Sequence, residues 1–358
     1  MTRYKLSEIC KIVSGSTPKT NVPEYWDGEN VWITPAEITD KTFIVYDSQR
    51  KLSNLGVEKT HLSSFPIGTV MLSSRAPIGK VAIAGVEMFC NQGFKNLICS
   101  EKIMNEYLYW FLKGKTKYLN SLGRGATFKE LSAKIIGNIE LEVPSIQEQK
   151  EVVIRLRKID QIIGVFKREV ELLDELIKAR FVEMFGEIED CDKWESKIWN
   201  EVVTIKNGRD YKKVLVSDGG YPVVGTGGEI ARASKYLCPE NTIVVGRKGS
   251  INNPMLMKEK FWNVDTAFGV IPNSDYLHYQ YFYYFCKFYN FMKLNKATTL
   301  PSTTKADLLK IRINIPPLEL QNQFASFVQE IDKSRSRIQK SLEASQELFD
   351  SLMQEYFG

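Results

Sequence analysis

The chain has 358 residues, of which 43% are hydrophobic and 25% are charged, and its formal net charge is +5 at pH 7. This length is enough for two or three domains with cores of their own, and the composition is that of an ordinary globular protein. The N-terminal sequence has no apolar h-region and no small-residue cleavage site, so we expect no secretory signal. No apolar run approaches the ~18 residues that a membrane helix needs. We therefore expect a cytoplasmic protein.

The cysteines and histidines indicate neither a metal site nor a disulfide framework. The six cysteines lie far apart and form no C-x-x-C pair, which predicts reduced, packed thiols in a chain of this size. The two histidines, His61 and His278, have no partner at the spacing of metal ligands. We expect no bound metal and no histidine-based catalysis.

In chain order, the sequence divides into two mixed segments, each followed by a long periodic one. Residues 1–143 and 194–315 alternate short strand and helix patterns, which predicts two α+β domains. Residues 144–186 and 316–358 begin with similar proline phrases, VPSIQEQ and IPPLELQ, and continue with a sustained apolar rhythm. The acidic segment 187–193 is predicted to link the two halves.

Both periodic segments carry apolar residues at alternating steps of three and four, which is the spacing of a coiled-coil seam. Each is predicted to form a helix of ~40 residues, which is ~60 Å long at 1.5 Å per residue. One amphipathic helix of that length cannot bury its apolar stripe alone, so we expect the two to pair as an antiparallel coiled coil. The alternative is that each helix packs only on its own domain. The predicted seam residues are Val152, Leu156, Ile159, Ile163, Phe166, Val170, Leu173, Ile177, Phe324, Val328, Ile331, Ile338, Leu342, Phe349 and Leu352.

The two halves of the chain form an internal repeat, and this predicts approximate two-fold symmetry. From the prolines 144 and 316 onward, matching residues recur at one constant offset of 172 without a gap. Upstream the similarity is weaker. LSEICKIVSG resembles IWNEVVTIKNG, FPIGTVMLSSR resembles CPENTIVVGRK, and the aromatic segment EYLYWFL, expected to be a core helix, resembles YQYFYYF. We expect two domains with one plan and different loops.

The positive charge is concentrated in the two predicted domains. Residues 1–143 have 18 Lys and Arg against 14 Asp and Glu, and residues 194–315 have 17 against 10. The first helical segment is neutral, whereas the linker and the second helical segment are acidic. Two basic domains on a spacer without net positive charge indicate a polyanion that is contacted at two places. The alternative is a scaffold that joins two protein-binding domains and has no role in DNA binding.

This duplicated plan resembles the specificity subunit of type I restriction-modification systems, and the resemblance extends over the whole chain. It is carried by the two proline phrases with their long helices, and by SGSTPK (14–19), SSRAPIGKVAI (73–83), NQGFKNL (91–97) and GATFKELSAKIIGNIELEVPSIQEQ (125–149). The resemblance implies that each domain is a target-recognition domain that reads one part of a bipartite, asymmetric site in double-stranded DNA. It implies that the helices set the distance between these domains.

The same resemblance implies partners and the absence of catalysis. The helices would dock two methyltransferase (modification) subunits, which bind S-adenosylmethionine, and restriction/translocase subunits would use ATP and Mg²⁺. No catalytic constellation is found in this chain. VVGTGGEI lacks the glycine that a dinucleotide-binding turn needs at Ile230, and Asp192, Glu195 and Lys197 imitate a nuclease cluster but have no counterpart in the first half.

The candidate DNA contacts are basic, hydroxyl and amide side chains in predicted loops, where they would reach phosphates or base edges. Arg75 and Arg247 follow equivalent predicted strands, and Arg209, Lys212 and Lys213 form the densest basic loop. The alternative is that these loops are exposed turns without a ligand. In the first domain the candidates are Thr17, Lys19, Arg75, Lys80, Asn91, Gln92, Arg124 and Lys129. In the second domain they are Arg209, Lys212, Lys213, Arg247, Lys248, Asn252, Lys296 and Thr299.

Overall fold

The structure is a computed structural model, and it describes residues 2–123, 129–188, 193–295 and 299–358. The chain forms two compact units. Unit 1 consists of residues 1–166 and 341–358, and unit 2 consists of residues 167–340. No helix in the described part of the chain combines the length and the apolar character that crossing a membrane requires.

Unit 1 contains three sheets and a set of mostly short helices. The strands are β1 (Thr2–Lys5), β2 (Cys10–Ser14), β3 (Trp26–Ile33), β4 (Ile44–Val45), β5 (Arg50–Leu52), β6 (Val70–Ser73), β7 (Val81–Ala84), β8 (Phe89–Cys90), β9 (Phe94–Cys99) and β10 (Glu140–Val143). The helices are α1 (Leu6–Ile9), α2 (Asn54–Thr60), α3 (Asn105–Gly114), α4 (Thr116–Leu122), α5 (Ala133–Gly137) and the first part of α6 (Ile146–Phe185).

The core of unit 1 lies between its largest sheet and the aromatic helix α3. The sheet has the order β2-β9-β6-β7-β4, and its central strands β6 and β7 are buried along their whole length. The other sheets have the orders β5-β3-β8 and β1-β10. Because β1 pairs antiparallel with β10, the first strand of the domain is joined to the strand that leads directly into α6.

Unit 2 repeats this plan with different loops. Its strands are β11 (Ser196–Ile198), β12 (Val203–Asn207), β13 (Leu215–Val216), β14 (Tyr221–Gly225), β15 (Gly228–Ala233), β16 (Thr242–Gly246), β17 (Met255–Met257), β18 (Trp262–Asn263), β19 (Ala267–Pro272) and β20 (Arg312–Asn314). Its helices are α7 (Trp199–Val202), α8 (Tyr279–Phe288), α9 (Lys305–Leu308), the second part of α6 and the first part of α10 (Leu318–Phe357). The sheet orders are β12-β19-β16-β17, β13-β15-β14-β18 and β11-β20.

The two long helices have the predicted length, since α6 and α10 contain 40 residues each. Helix α6 begins with a reciprocal cap, in which the Ser145 backbone N–H donates to Glu148 and the Glu148 N–H donates to the Ser145 hydroxyl. It ends at Gly186, whose φ of +87° is the left-handed conformation that stops a helix. The predicted α+β class, with two similar domains and two long helices, is confirmed.

The two long helices run in opposite directions where they pack together. In unit 2, Asp174 of α6 contacts Arg335 of α10, and the later Phe181 contacts the earlier Phe324. In unit 1, Arg155 near the start of α6 donates a hydrogen bond to the hydroxyl of Tyr356 near the end of α10. All fifteen predicted seam residues are buried or half-buried, whereas off-seam apolar residues of α6 such as Ile154, Val165 and Leu172 are exposed.

The C-terminal end of each long helix packs on an aromatic helix of a domain. At the end of α10, the ring of Phe357 lies 5.1 Å from that of Tyr107 in α3. At the end of α6, the ring of Phe185 lies 4.7 Å from that of Tyr281 in α8. Each long helix thus packs on the other long helix and, at its C-terminal end, on the domain that precedes the other helix. The alternative, in which each helix packs only on its own domain, is wrong.

One ion pair interrupts the apolar seam in unit 2. Arg335 Nη2 lies 2.9 Å from Asp174 Oδ1, and Lys287 Nζ lies 3.2 Å from the same oxygen. The Arg335 guanidinium, with Lys287, holds the pKa of the Asp174 carboxyl below its usual range. The positions 172 residues away hold Ile163 and Gln346, which are uncharged, so the ion pair belongs to one half of the repeat alone.

A buried glutamine joins the start of α6 to the domain before it. Gln149 is fully buried, and its Nε2 donates to the carbonyls of Pro144 and Lys102, each at 3.0 Å. Its Oε1 accepts from the N–H of Met104 at 2.8 Å, just before α3 begins. One side chain thus satisfies three backbone groups at the junction of the helix and the domain.

The same junction recurs in unit 2 with Gln321. Its Nε2 donates to the carbonyls of Pro316 and Tyr276, and its Oε1 accepts from the N–H of His278 at 2.7 Å. This explains why each proline phrase ends in glutamine. A side-chain amide suits this junction, because its NH₂ group can donate to two carbonyls while its oxygen accepts from one N–H.

We expect Gln149→Ala to lower the free energy of unfolding by about 2–4 kcal/mol, because three hydrogen bonds are lost and buried backbone groups are left unpaired. Gln147→Ala is the matched control, since Gln147 is exposed in the same helical turn and bonds only to Glu151. Urea unfolding of both variants measures the difference. Equal midpoints for the two variants would contradict the role assigned to Gln149.

Candidate nucleic-acid interface

The end of strand β6 in unit 1 is tied to a second loop by backbone contacts. Arg75 and Glu130 form an isolated antiparallel bridge, and the N–H of Leu131 donates to the carbonyl of Ser74 at 2.9 Å. This bridge places the side chains of Arg75 and Glu130 next to each other. The loop of residues 124–128, which includes the candidate Arg124, lies outside the described residues.

The end of strand β16 in unit 2 has the same arrangement. Lys248 and Ser302 form the bridge, and the N–H of Thr303 donates to the carbonyl of Arg247 at 3.0 Å. The counterpart of Arg75 is therefore Lys248, one position after the Arg247 that the sequence comparison indicated. The candidate Lys296 lies outside the part of the chain that is described.

In unit 1 a solvent-open pocket of ≈ 680 Å³ lies beside the bridge. It is lined by Lys95, Glu130, Ser132, Ala133, Lys134, Ile135 and Asn138. Glu130 bonds to two cations: its Oε2 lies 3.0 Å from Arg75 Nε, and its Oε1 lies 3.5 Å from Lys95 Nζ. The Lys95 side chain is only 10% exposed, so this carboxylate neutralises a nearly buried ammonium as well as an exposed arginine.

In unit 2 a smaller pocket of ≈ 360 Å³ occupies the equivalent place. It is lined by Asn207, Arg247, Lys248, Phe268, Ser302, Thr303, Thr304 and Lys305. Arg247 Nη1 donates to the carbonyl of Asp265 at 3.3 Å, and Lys305 Nζ donates to the carbonyl of Ile205 at 2.9 Å. No carboxylate among the described residues forms an ion pair with these two side chains or with Lys248. Cations and hydroxyl groups on an open wall are suited to bind a phosphate.

Other candidates of unit 1 hold the neighbouring loops in place. The Thr17 hydroxyl donates to Gln92 Oε1 at 2.5 Å, which joins the SGSTPK loop to the loop before β9. Lys80 Nζ donates to the carbonyl of Pro35 at 2.9 Å, and Asn91 Oδ1 accepts from the N–H of Gly93 at 2.9 Å. These side chains orient the loops through contacts within the protein.

Among the remaining candidates, Asn252 holds a loop in place through a hydrogen bond, and the others have exposed side chains. Asn252 Oδ1 accepts from the N–H of Phe291 at 2.8 Å and so fixes the loop after β16. The carbonyl of Arg209 accepts from the indole of Trp262 at 2.9 Å, which fixes the loop backbone while the side chain stays exposed. The exposed candidates are Lys19, Lys129, Arg209, Lys212, Lys213 and Thr299.

Of the fifteen residues that line the two pockets, Arg247 and Lys248 alone were among the sequence candidates. Lys95, Glu130, Ser302 and Lys305 are the missed residues whose side chains matter most to the charge and hydroxyl groups of the pockets. Lys95 lies within the buried strand β9, in the NQGFKNL segment, from which the candidates were Asn91 and Gln92. In the sequence, GATFK is followed by Glu130, and ATTLP is followed by Ser302 and, three positions later, Lys305. A comparison of the two halves residue by residue around these loops would have shown that an acidic residue in one half replaces a hydroxyl in the other.

No group of three or more His, Cys, Asp or Glu side chains is placed to hold a metal ion within the described ranges. The five described cysteines, at positions 10, 90, 99, 238 and 286, are free thiols. Burial raises the pKa of the Cys90 thiol to about 12 and that of the Cys238 thiol to about 12. Both thiols are therefore protonated and unreactive at neutral pH.

A family model described as "Type I restriction modification DNA specificity domain" matches this chain twice, over residues 1–173 and 191–346. The MjaIX type I restriction enzyme specificity subunit of Methanocaldococcus jannaschii is 28% identical over 395 residues, which cover 98% of this chain and 90% of that protein.

Two solved structures share the fold over nearly the whole chain. The S subunit of a type I restriction-modification system from M. genitalium has a TM-score of 0.64 at 15% identity, covering 100% of this chain and 96% of its own. A structure described as the basis of complex assembly and conformational transition of the type I R-M system has a TM-score of 0.58 at 16% identity, covering 99% and 97%. At these identities, the two structures show the fold alone.

We expect Gly208→Ala to destabilise the protein by about 1–3 kcal/mol, because an added Cβ would overlap the carbonyl group of Val264. Gly15 approaches the carbonyl of Cys90 in the same way, so both loops pass close to a neighbouring backbone. Gly227→Ala is the control, because a Cβ there meets no atom within 4 Å. Thermal unfolding of the two variants tests this, and an equal loss of stability would count against the close approach.

Proposed function

The chain belongs to the type I restriction modification DNA specificity family, and we propose that its two domains each read one part of an asymmetric, two-part DNA target. The sequence prediction of a type I specificity subunit is confirmed by the two matches of the family model and by the relative that covers nearly the whole chain. The observation that carries the proposal is the repeated pocket. Each unit has the same kind of backbone bridge, but the side chains on it differ between the units. A target whose two parts differ requires two domains with different contacts.

The charge of the unit 2 pocket favours DNA over a protein ligand. Arg247, Lys248 and Lys305 line the pocket of unit 2, and no described carboxylate forms an ion pair with them. A protein-binding scaffold would have no need for a concentration of cations beside hydroxyl groups. The phosphates of DNA supply the matching negative charge, and these contacts make the affinity dependent on salt.

The chemistry would reside in partner subunits. We propose that the long helices dock two methyltransferase subunits, which bind S-adenosylmethionine, and that restriction subunits supply ATP- and Mg²⁺-dependent cleavage. This chain would then be non-catalytic and would act in the cytoplasm. The doubling of the helices supports two docking surfaces, because α6 and α10 have the same length and the same glutamine junction with a domain.

Deleting the gene for this chain is expected to abolish adenine methylation at one two-part sequence, while other methylation in the genome persists. Methylome sequencing of the deleted strain, the parent strain and a strain in which the gene is restored measures this. If the methylation pattern were the same in all three, the proposed role in target recognition would be wrong.

Two copies of the methyltransferase partner are expected to bind one copy of this chain, because the repeat supplies each helical surface twice. Native mass spectrometry at saturating partner measures the stoichiometry. A complex that stays at one copy of each would contradict the proposal of two docking surfaces.

A further inference from the structure

Among the positions at which the two pockets differ, Glu130 and Lys95 of unit 1 correspond to Ser302 and Phe268 of unit 2. The backbone bridges show that Glu130 and Ser302 are equivalent, because each pairs with the cation that follows the buried strand. Lys95 and Phe268 are equivalent because Lys95 pairs with the last residue of β2 and Phe268 pairs with the last residue of β12. The differences are substitutions within a shared site. Unit 1 therefore has a carboxylate and a nearly buried ammonium where unit 2 has a hydroxyl group and an aromatic ring.

In unit 1 the carboxylate of Glu130 already pairs with two cations that a phosphate would contact. It accepts from Arg75 Nε at 3.0 Å, and it lies 3.5 Å from Lys95 Nζ. A phosphate that approached these cations would have to displace the carboxylate or bind beside it. Both arrangements weaken phosphate binding, since like charges repel and the cations are already paired.

In unit 2 the equivalent serine leaves the cations available. Lys248 and Arg247 are exposed, and the Lys305 ammonium bonds to a carbonyl that carries no net charge. A phosphate would enter this pocket without displacing a carboxylate of the described residues. Each phosphate that is neutralised releases condensed counterions from DNA, which supplies much of the free energy of binding.

We propose that Glu130 limits phosphate binding in unit 1, and that the pocket of unit 2, with Ser302 in its place, is the stronger site for a DNA backbone phosphate. This inference rests on the proposed function, because it assigns unequal shares of the DNA affinity to the two domains. Unit 2 then supplies more of the salt-dependent affinity. Unit 1 relies more on interactions that are independent of charge.

Reciprocal variants of the full-length chain test this inference. We expect Glu130→Gln to release Arg75 and Lys95 and to steepen the dependence of log K on log[salt] by about one for each additional phosphate that is neutralised. We expect Ser302→Glu to make the slope shallower by about one, because a carboxylate is placed beside Lys248. Glu106→Gln is the matched control: it breaks another ion pair of unit 1, in which Glu106 Oε2 lies 3.3 Å from Arg157 Nη1.

The probe is a fluorescently labelled duplex of about 40 base pairs and arbitrary sequence, and its anisotropy is measured between about 50 and 200 mM salt, the range in which phosphate binding dominates. One more neutralised phosphate makes the affinity fall about fourfold more over this range. The inference is overturned if Glu130→Gln has the slope of Glu106→Gln, or if Ser302→Glu has the slope of the unaltered chain. Failure of the unaltered chain to bind the duplex, alone or with its methyltransferase partner, would instead overturn the proposed function. Thermal unfolding confirms that each variant is folded.

Discussion

The aromatic contacts at the last turn of each long helix are the interaction on which the rest of the structure depends. Phe185 packs on Tyr281, and Phe357 packs on Tyr107, with ring centroids 4.7 Å and 5.1 Å apart. Such pairs contribute about 0.5–1.5 kcal/mol beyond the burial of their area. Each helix starts at the strand that closes one domain and ends on the aromatic core of the other. Without these contacts, the C-terminal end of each 40-residue helix would lose its attachment to a domain core and would be held by the seam with the other helix.

This plan is duplicated, but the duplication is not perfect where the two helices meet. Asp174 lies on α6 and Arg335 lies on α10, while the repeat-related positions hold Gln346 and Ile163. Each helix carries only one of the two charges, so the ion pair requires one helix of each kind. Two copies of α6 would place Asp174 opposite an isoleucine, so the carboxylate would lose Arg335 and keep Lys287. Loss of one partner from a partly buried ion pair is costly, and this favours pairing between unlike helices.

The sequence was sufficient for features that repeat over many residues. Forty residues of three-four spacing predict α6 and α10, because periodicity averages over any single exception such as Arg335. The aromatic segments EYLYWFL and YQYFYYF predict α3 and α8 because they occupy corresponding places in the two halves of the chain. The pockets were harder, because the offset between the halves is 172 along the helices but 173 where Arg75 matches Lys248. In and beside a strand, one residue decides which face a side chain takes, so a one-residue error misplaces the site. Lys95 was missed because its neighbours in the buried strand β9 are mostly apolar, and the sequence does not show that it pairs with Glu130.

The separation of a repeated scaffold from variable pockets has an energetic basis. The backbone bridge at each pocket is formed by N–H and C=O groups, so it is kept whichever side chains project from it. Arg75 and Lys248 are exposed, and substitution of exposed side chains usually changes stability by no more than about 0.5 kcal/mol. The buried glutamines and the close-approach glycines have no such freedom, because their neighbours are backbone atoms. The two domains can therefore diverge in what they bind while the helices, the junctions and the core strands stay the same.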